Sequence, residues 1–137
     1  MPALLQSDIE IKASASRVWD ILCHLDRYHE WNPFVTDASG VLRRGEYLDL
    51  VISPPDQDPY KLHTKVLEAD AVGRITVQCD LATDHSLVLE PTPTGVHLVQ
   101  VQRYQHDAAD ALNGKIGSRI QLGLDMMNAA LKARAER

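Results

Sequence analysis

The side chains best suited to move a proton or hold a polar ligand group lie in two stretches near the end of the chain. His85 opens the run His85-Ser86-Leu87-Val88-Leu89-Glu90, where alternation puts it on one face with Leu87 and Leu89. A histidine titrates near neutrality and can serve as general acid or base. A lone histidine on an apolar face can equally be a core residue with both ring nitrogens satisfied. The longer run from Val96 to His106 places Val96, Leu98, Gln100, Gln102 and Tyr104 on one face, and His97, Val99, Val101 and Arg103 on the other. Both faces mix polar and apolar residues, so alternation leaves open which one turns inward. Two amides and a phenol on an inward face need partners, since an unpaired buried polar group costs about 1–3 kcal/mol. A ligand carbonyl or hydroxyl can supply them, and so can cavity water, the backbone or the amides themselves.

Other chemistries find no support. The chain has no G-x-S-x-G, no phosphate-binding glycine loop, no G-x-G-x-x-G after a strand and no C-x-x-C. His29-Glu30 runs into Trp31-Asn32-Pro33 and so is not H-E-x-x-H, and Asp56-Gln57-Asp58 runs into Pro59, where a calcium loop needs further oxygen ligands. Asp20 and His24 stand one helical turn apart, but two ligands do not make a metal site, and a surface pair is the plainer alternative. Neither a metal nor a cofactor is expected. Nineteen acidic residues against 14 Lys and Arg give a net charge of -5, which repels a polyphosphate backbone and makes nucleic acid an unsuitable partner. No apolar run reaches the ~18 residues of a membrane span. The opening Met1-Pro2-Ala3-Leu4-Leu5-Gln6 lacks a basic start and a long apolar stretch, so no signal peptide is expected. Cys23 and Cys79 sit far apart in apolar contexts, which suits reduced thiols in a cytoplasmic protein.

The elements that must position these residues follow from hydrophobic period. At 137 residues, with 45% hydrophobic and 24% charged side chains, the chain is sized for a single globular domain over 1–137. Ile9-Glu10-Ile11-Lys12 alternates and predicts a strand over Leu4 to Ile11. Ser14 or Ser16 can cap a helix over Ala15 to Leu25, where Val18, Trp19, Ile21, Leu22 and Leu25 recur at helical spacing. A second short helix over Asp26 to Trp31 ends at Asn32-Pro33, because proline drives its predecessor out of the helical region. Period two then returns. Strands are predicted over Val35 to Leu42, Tyr47 to Ile52, Tyr60 to Ala69, Arg74 to Asp80, His85 to Glu90 and Val96 to His106, with a proline-rich loop over Ser53 to Pro59. From Ala108 to Arg137 a single stripe of Leu112, Ile116, Ile120, Leu124, Met127 and Leu131 predicts one long helix. Gly114, Gly117 and Gly123 each cost it about 1 kcal/mol relative to alanine, to be offset by close packing or by space left for a guest. One strand, two short helices, six strands and a long helix make an α+β fold, with a seven-stranded antiparallel curved sheet wrapped around the C-terminal helix.

Several runs also resemble a known family. Ile9-Glu10-Ile11-Lys12-Ala13, Val18-Trp19 and Tyr28-His29-Glu30-Trp31-Asn32-Pro33-Phe34 resemble the opening of the SRPBCC (START-like, Bet v 1-like) superfamily, in its bacterial polyketide cyclase/dehydrase-like branch. His85-Ser86-Leu87-Val88-Leu89-Glu90-Pro91, Gly95 to Tyr104, and Met127 to Glu136 resemble that branch's last two strands and the end of its last helix. The resemblance spans nearly the whole chain and implies a helix-grip fold with an apolar cavity between sheet and C-terminal helix. It assigns the face of Gln100, Gln102 and Tyr104 to that cavity. It further implies a lining of Leu50, Leu62, Val77, His85, Leu87 and Leu98 from the sheet. Ile116, Ile120, Leu124 and Met127 would close the cavity from the helix, with Trp31 and Phe34 at its mouth. Trp31 and Phe34 can instead staple the short helix to the sheet, and Trp19 reads as core. Leu87 stands where relatives usually have phenylalanine, and Gln102 where they often have glutamate, which removes a candidate general base.

The expected function is binding of a small hydrophobic or amphipathic molecule, such as a lipid or polyketide, in this cavity. The alternative is a polyketide cyclase or dehydratase in which His85 or Tyr104 moves protons. A third possibility is a partner-binding module with a filled core. The sequence leaves ligand identity and the choice between monomer and homodimer open.

Overall fold

The computed structural model describes residues 3–70, 73–78, 84–104 and 115–137. Seven strands carry the architecture: β1 (Ala3–Ile11), β2 (Val35–Gly40), β3 (Tyr47–Ile52), β4 (Tyr60–Asp70), β5 (Arg74–Val77), β6 (Asp84–Thr92) and β7 (Gly95–Tyr104). They form one antiparallel sheet in the order β1-β7-β6-β5-β4-β3-β2, curled into a half-barrel. Helix α1 (Ala15–Cys23) and a 3₁₀ helix (Leu25–Glu30) lie between β1 and β2, and the long helix α2 (Lys115–Ala135) closes the chain. The expected α+β helix-grip fold is what the chain adopts. No helix among the described residues is long and apolar enough to cross a membrane.

Local chemistry explains the helical boundaries. Ser14 caps α1, its hydroxyl accepting from Arg17 N at 3.1 Å. The helix stops at Cys23 rather than Leu25, because His24 leaves helical geometry (φ -86°, ψ 74°) and donates from its ring to Asp20 O at 2.6 Å. The second short helix is a 3₁₀ turn. Asn32 then folds back, its Oδ1 accepting from Phe34 N at 3.0 Å and Val35 N at 2.9 Å, which turns the chain into β2. Asp20 and His24 make an exposed pair at 3.6 Å, and no cluster of metal-ligating side chains occurs among the described residues. Cys23 is a free, half-buried thiol whose pKa is pushed up by burial and then by Asp20.

Helix α2 packs on β1 and against α1. Its stripe behaves as expected where it is described: Leu124, Met127 and Leu131 are buried and Ile120 is half-buried. Gly123 shows how the helix meets the short-helix corner. A Cβ at this position would lie 2.3 Å from the Phe34 ring, so close packing with an aromatic face requires the glycine. Leu112 and Gly114, like Cys79 and Asp80, lie outside the described residues, as do the side chains of Tyr104, Ile116 and Gly117.

Candidate functional site

Register sets the rows of side chains across the concave face. Leu5, Gln102, His85 and Val77 stand side by side on β1, β7, β6 and β5. Ser7, Gln100, Leu87 and Ile75 form the next row, and Ile9, Leu98 and Leu89 the one after. Burial resolves the face that alternation left open. Val96, Leu98, Gln100 and Gln102 are buried, whereas Arg103 is exposed and His97, Val99 and Val101 are half-buried. Two adjacent rows of an aliphatic surface therefore carry Ser7, Gln100, Gln102 and His85.

These side chains bond one another across the strands. His85 Nε2 meets Gln100 Oε1 at 2.9 Å, and Gln102 Nε2 meets His85 Nδ1 at 3.1 Å. Gln100 Nε2 donates to Asn128 Oδ1 on α2. Asn128 Nδ2 donates to Ser7 Oγ at 2.9 Å, and Ser7 Oγ donates to Asp125 Oδ1 at 2.6 Å. Gln121 Nε2 adds a bond to the same carboxylate oxygen at 3.1 Å and one to Gln6 O at 2.9 Å. A hydrogen-bonded chain thus runs from the interior of the sheet to an exposed residue of the helix. His85 is neutral in this setting: burial lowers its pKa, outweighing the opposing bond to Gln100 and the charge of Asp84.

Accessibility varies along the concave face. Leu98, Leu124 and Leu131 are 0% exposed, but Leu62, Val77, His85, Leu87 and Gln102 each retain 8–9%. Leu50 pairs with Leu62, sits on the inward-facing phase of β3 between Leu48 and Ile52, and is only half-buried. Coverage does not divide by strand: Val66, Val96, Leu98 and Gln100 on β4 and β7 are fully buried, whereas Leu5 and Ile9 on β1 are half-buried.

Trp31 and Phe34 lie at the helical corner. Trp31 packs edge-on against Tyr28, with centroids 5.2 Å apart, and lines an outer cleft of about 310 Å³ with Arg17, Ile21, Arg27 and Arg134. Phe34 is buried on Gly123. The side chains of Tyr104 and Ile116 lie outside the described residues.

The model of the family described as "Polyketide cyclase / dehydrase and lipid transport" matches residues 2–136. The chain belongs to this family. Solved structures agree with that membership in fold. The Zhui aromatase/cyclase from Streptomyces sp. R1128 superposes with a TM-score of 0.81 at 12% identity, covering 100% of this chain and 95% of that one. A protein from Thermus thermophilus gives 0.77 at 15% identity, covering 97% of both chains. The di-domain aromatase/cyclase StfQ of the steffimycin biosynthetic pathway gives 0.67 at 14% identity, covering 98% of this chain and 52% of that one. No curated protein matches the chain by sequence. Family membership supports a ligand-binding or cyclase role for this polyketide cyclase/dehydrase-like chain.

Sequence patterns pointed to His85, Gln100 and Gln102 but not to Asn128, Ser7 or Asp125. A signal for two of these existed. Asn128 follows Leu124 by four and precedes Leu131 by three, so it sits on the buried stripe. Ser7 shares the phase of Leu5, Ile9 and Ile11 on β1. A polar residue on an apolar phase invites a search for its partner.

Proposed function

We propose that this chain binds a small hydrophobic or amphipathic molecule, of lipid or polyketide type, between the β4–β7 side of the sheet and helix α2. Family membership and the polar side chains set into an aliphatic concave face carry the proposal: His85, Gln100 and Gln102 stand beside Val77, Leu87 and Leu98 on adjacent strands. Aliphatic side chains there supply affinity by burial, at about 25 cal/mol per Å². His85 and Gln102 supply the few polar contacts that orient a guest. Leu50, Leu98, Gln100, Ile120, Leu124 and Met127 complete the proposed lining, with Phe34 at its helical end.

A second reading has one observation of its own. His85 is neutral and so holds a free base form at physiological pH, as proton transfer in a cyclase or dehydratase requires. A cyclase would turn over a reactive polyketide analogue, and His85→Ala would abolish turnover while weakening binding only about tenfold, the scale of one hydrogen bond. A pure binder would show no turnover.

The test is a thermal-shift panel of fatty acids, sterols, flavonoids and polyketide mimics, followed by native mass spectrometry of the hits. At least one compound raises Tm and is retained at one per chain. If no compound in the panel does either, the proposal fails.

A further inference from the structure

We infer that the exposed carboxylate of Asp125 sets the tautomer of buried His85 through Ser7, Asn128 and Gln100, so that Nδ1 of His85 is a hydrogen-bond acceptor and the proposed binding site favours a guest carrying an O–H or N–H donor. The preference for such a guest rests on the binding proposal above; the tautomer assignment does not.

The bonds fix direction one after another. A carboxylate only accepts, so Ser7 commits its single hydroxyl proton to Asp125 Oδ1 at 2.6 Å. Ser7 Oγ then meets Asn128 as an acceptor, which brings Asn128 Nδ2 to it at 2.9 Å and points Oδ1 the other way. Gln100 must answer that oxygen with Nε2, which turns its own Oε1 to His85. The ring nitrogen facing Oε1, Nε2 at 2.9 Å, therefore carries the proton. Nδ1 is left with its lone pair, met by Gln102 Nε2 at 3.1 Å. Each primary amide has a donor end and an acceptor end, so the chain could run in either sense with the same number of bonds. The carboxylate at its surface end breaks that symmetry. Gln121, which bonds both Asp125 Oδ1 and Gln6 O, ties the carboxylate to the edge of β1.

Asn128, Ser7 and Asp125 are thus positioning residues, each acting on the site only through the next. A guest with a hydroxyl or N–H can take the place of the Gln102 amide at Nδ1. A guest offering only acceptor atoms meets a lone pair there.

Ring-nitrogen NMR of ¹⁵N-labelled protein at pH 7.5 tests the assignment, with His85→Gln used to identify the signals. Wild type shows His85 almost wholly as the Nε2–H tautomer. Asp125→Ala, a change at an exposed helix position, lowers that form to roughly half, because the chain loses the carboxylate that fixes its sense. Ser7→Ala does the same from the interior. An Nδ1–H tautomer in wild type, or an unchanged tautomer in folded Asp125→Ala, overturns the assignment. A matched pair of ligands tests the preference: 1-naphthol binds wild type about tenfold more tightly than 1-methoxynaphthalene, the scale of one buried hydrogen bond. The gap narrows in Asp125→Ala. Equal affinities in wild type overturn the preference. Failure of both ligands to bind overturns the binding proposal and leaves the ring-nitrogen result to decide the assignment.

Discussion

Gln100 joins the two halves of the polar chain. It accepts from His85 with one end of its amide and donates to Asn128 with the other, and it is fully buried. Gln100→Leu keeps the bulk but strands both partners. At about 1–3 kcal/mol for each of the two buried orphans, the variant loses about 2–6 kcal/mol in urea denaturation. A loss under about 1 kcal/mol would mean that the neighbours find other partners. Two histidines give opposite acid responses. Burial lowers the pKa of His85, so the unfolded chain takes up that proton first; its stabilisation is complete above about pH 6.5 and is lost as pH falls through the interval below that value. His97 has a raised pKa, chiefly through its bond to Asp8 at 2.8 Å, with Glu90 also lifting it. Its stabilisation is complete below about pH 6.5 and is lost as pH rises through the higher folded value. His97→Gln removes the term that grows on acidification. Its Tm therefore falls more steeply than that of wild type between pH 7.5 and 5. Parallel curves would remove His97 from this balance.

At the scale of elements, the Gly123 contact ties α2 to the turn that follows the 3₁₀ helix. Gly123→Ala gains about 1 kcal/mol of helix propensity and must push the Phe34 ring aside, which costs about 1–3 kcal/mol. The variant is expected to be less stable by about 1 kcal/mol. Combined with Phe34→Leu, the added methyl no longer collides, so the two changes are non-additive in a double-mutant cycle. Additive losses would show that Phe34 does not occupy the glycine face. This corner also shows what sequence pattern conveys. Strand alternation, the Asn32-Pro33 stop and the apolar stripe Leu124-Met127-Leu131 are local and periodic, and they specified seven strands and a closing helix. The collision that requires glycine at 123 depends on a ring 89 positions earlier. No local pattern records such a meeting. The Ser7–Asn128 bond spans 121 positions in the same way. His85 and Gln100 were visible as polar residues on apolar strands, but their partners depended on how α2 crosses β1.

For the whole molecule, α2 packs on β1 and α1 and is joined to the sheet by a polar chain. That chain runs from His85 and Gln100 in the interior to the exposed Asp125. Leu62, Val77 and Leu87 are buried aliphatic residues of β4, β5 and β6, on the same sheet as His85 and Gln102. A guest held there would be gripped by apolar burial and oriented by one histidine nitrogen. The outer cleft at Trp31, with its arginines, offers a different chemistry in a different place, so the two locations can be told apart by where a ligand perturbs the protein. Methyl-resolved NMR during titration with 1-naphthol makes that comparison. The Leu62, Val77 and Leu87 methyls are expected to shift and saturate together with the His85 ring signals. A titration that reaches saturation with those methyls unmoved, or that perturbs only the Ile21 and Trp31 signals of the outer cleft, would contradict an internal guest.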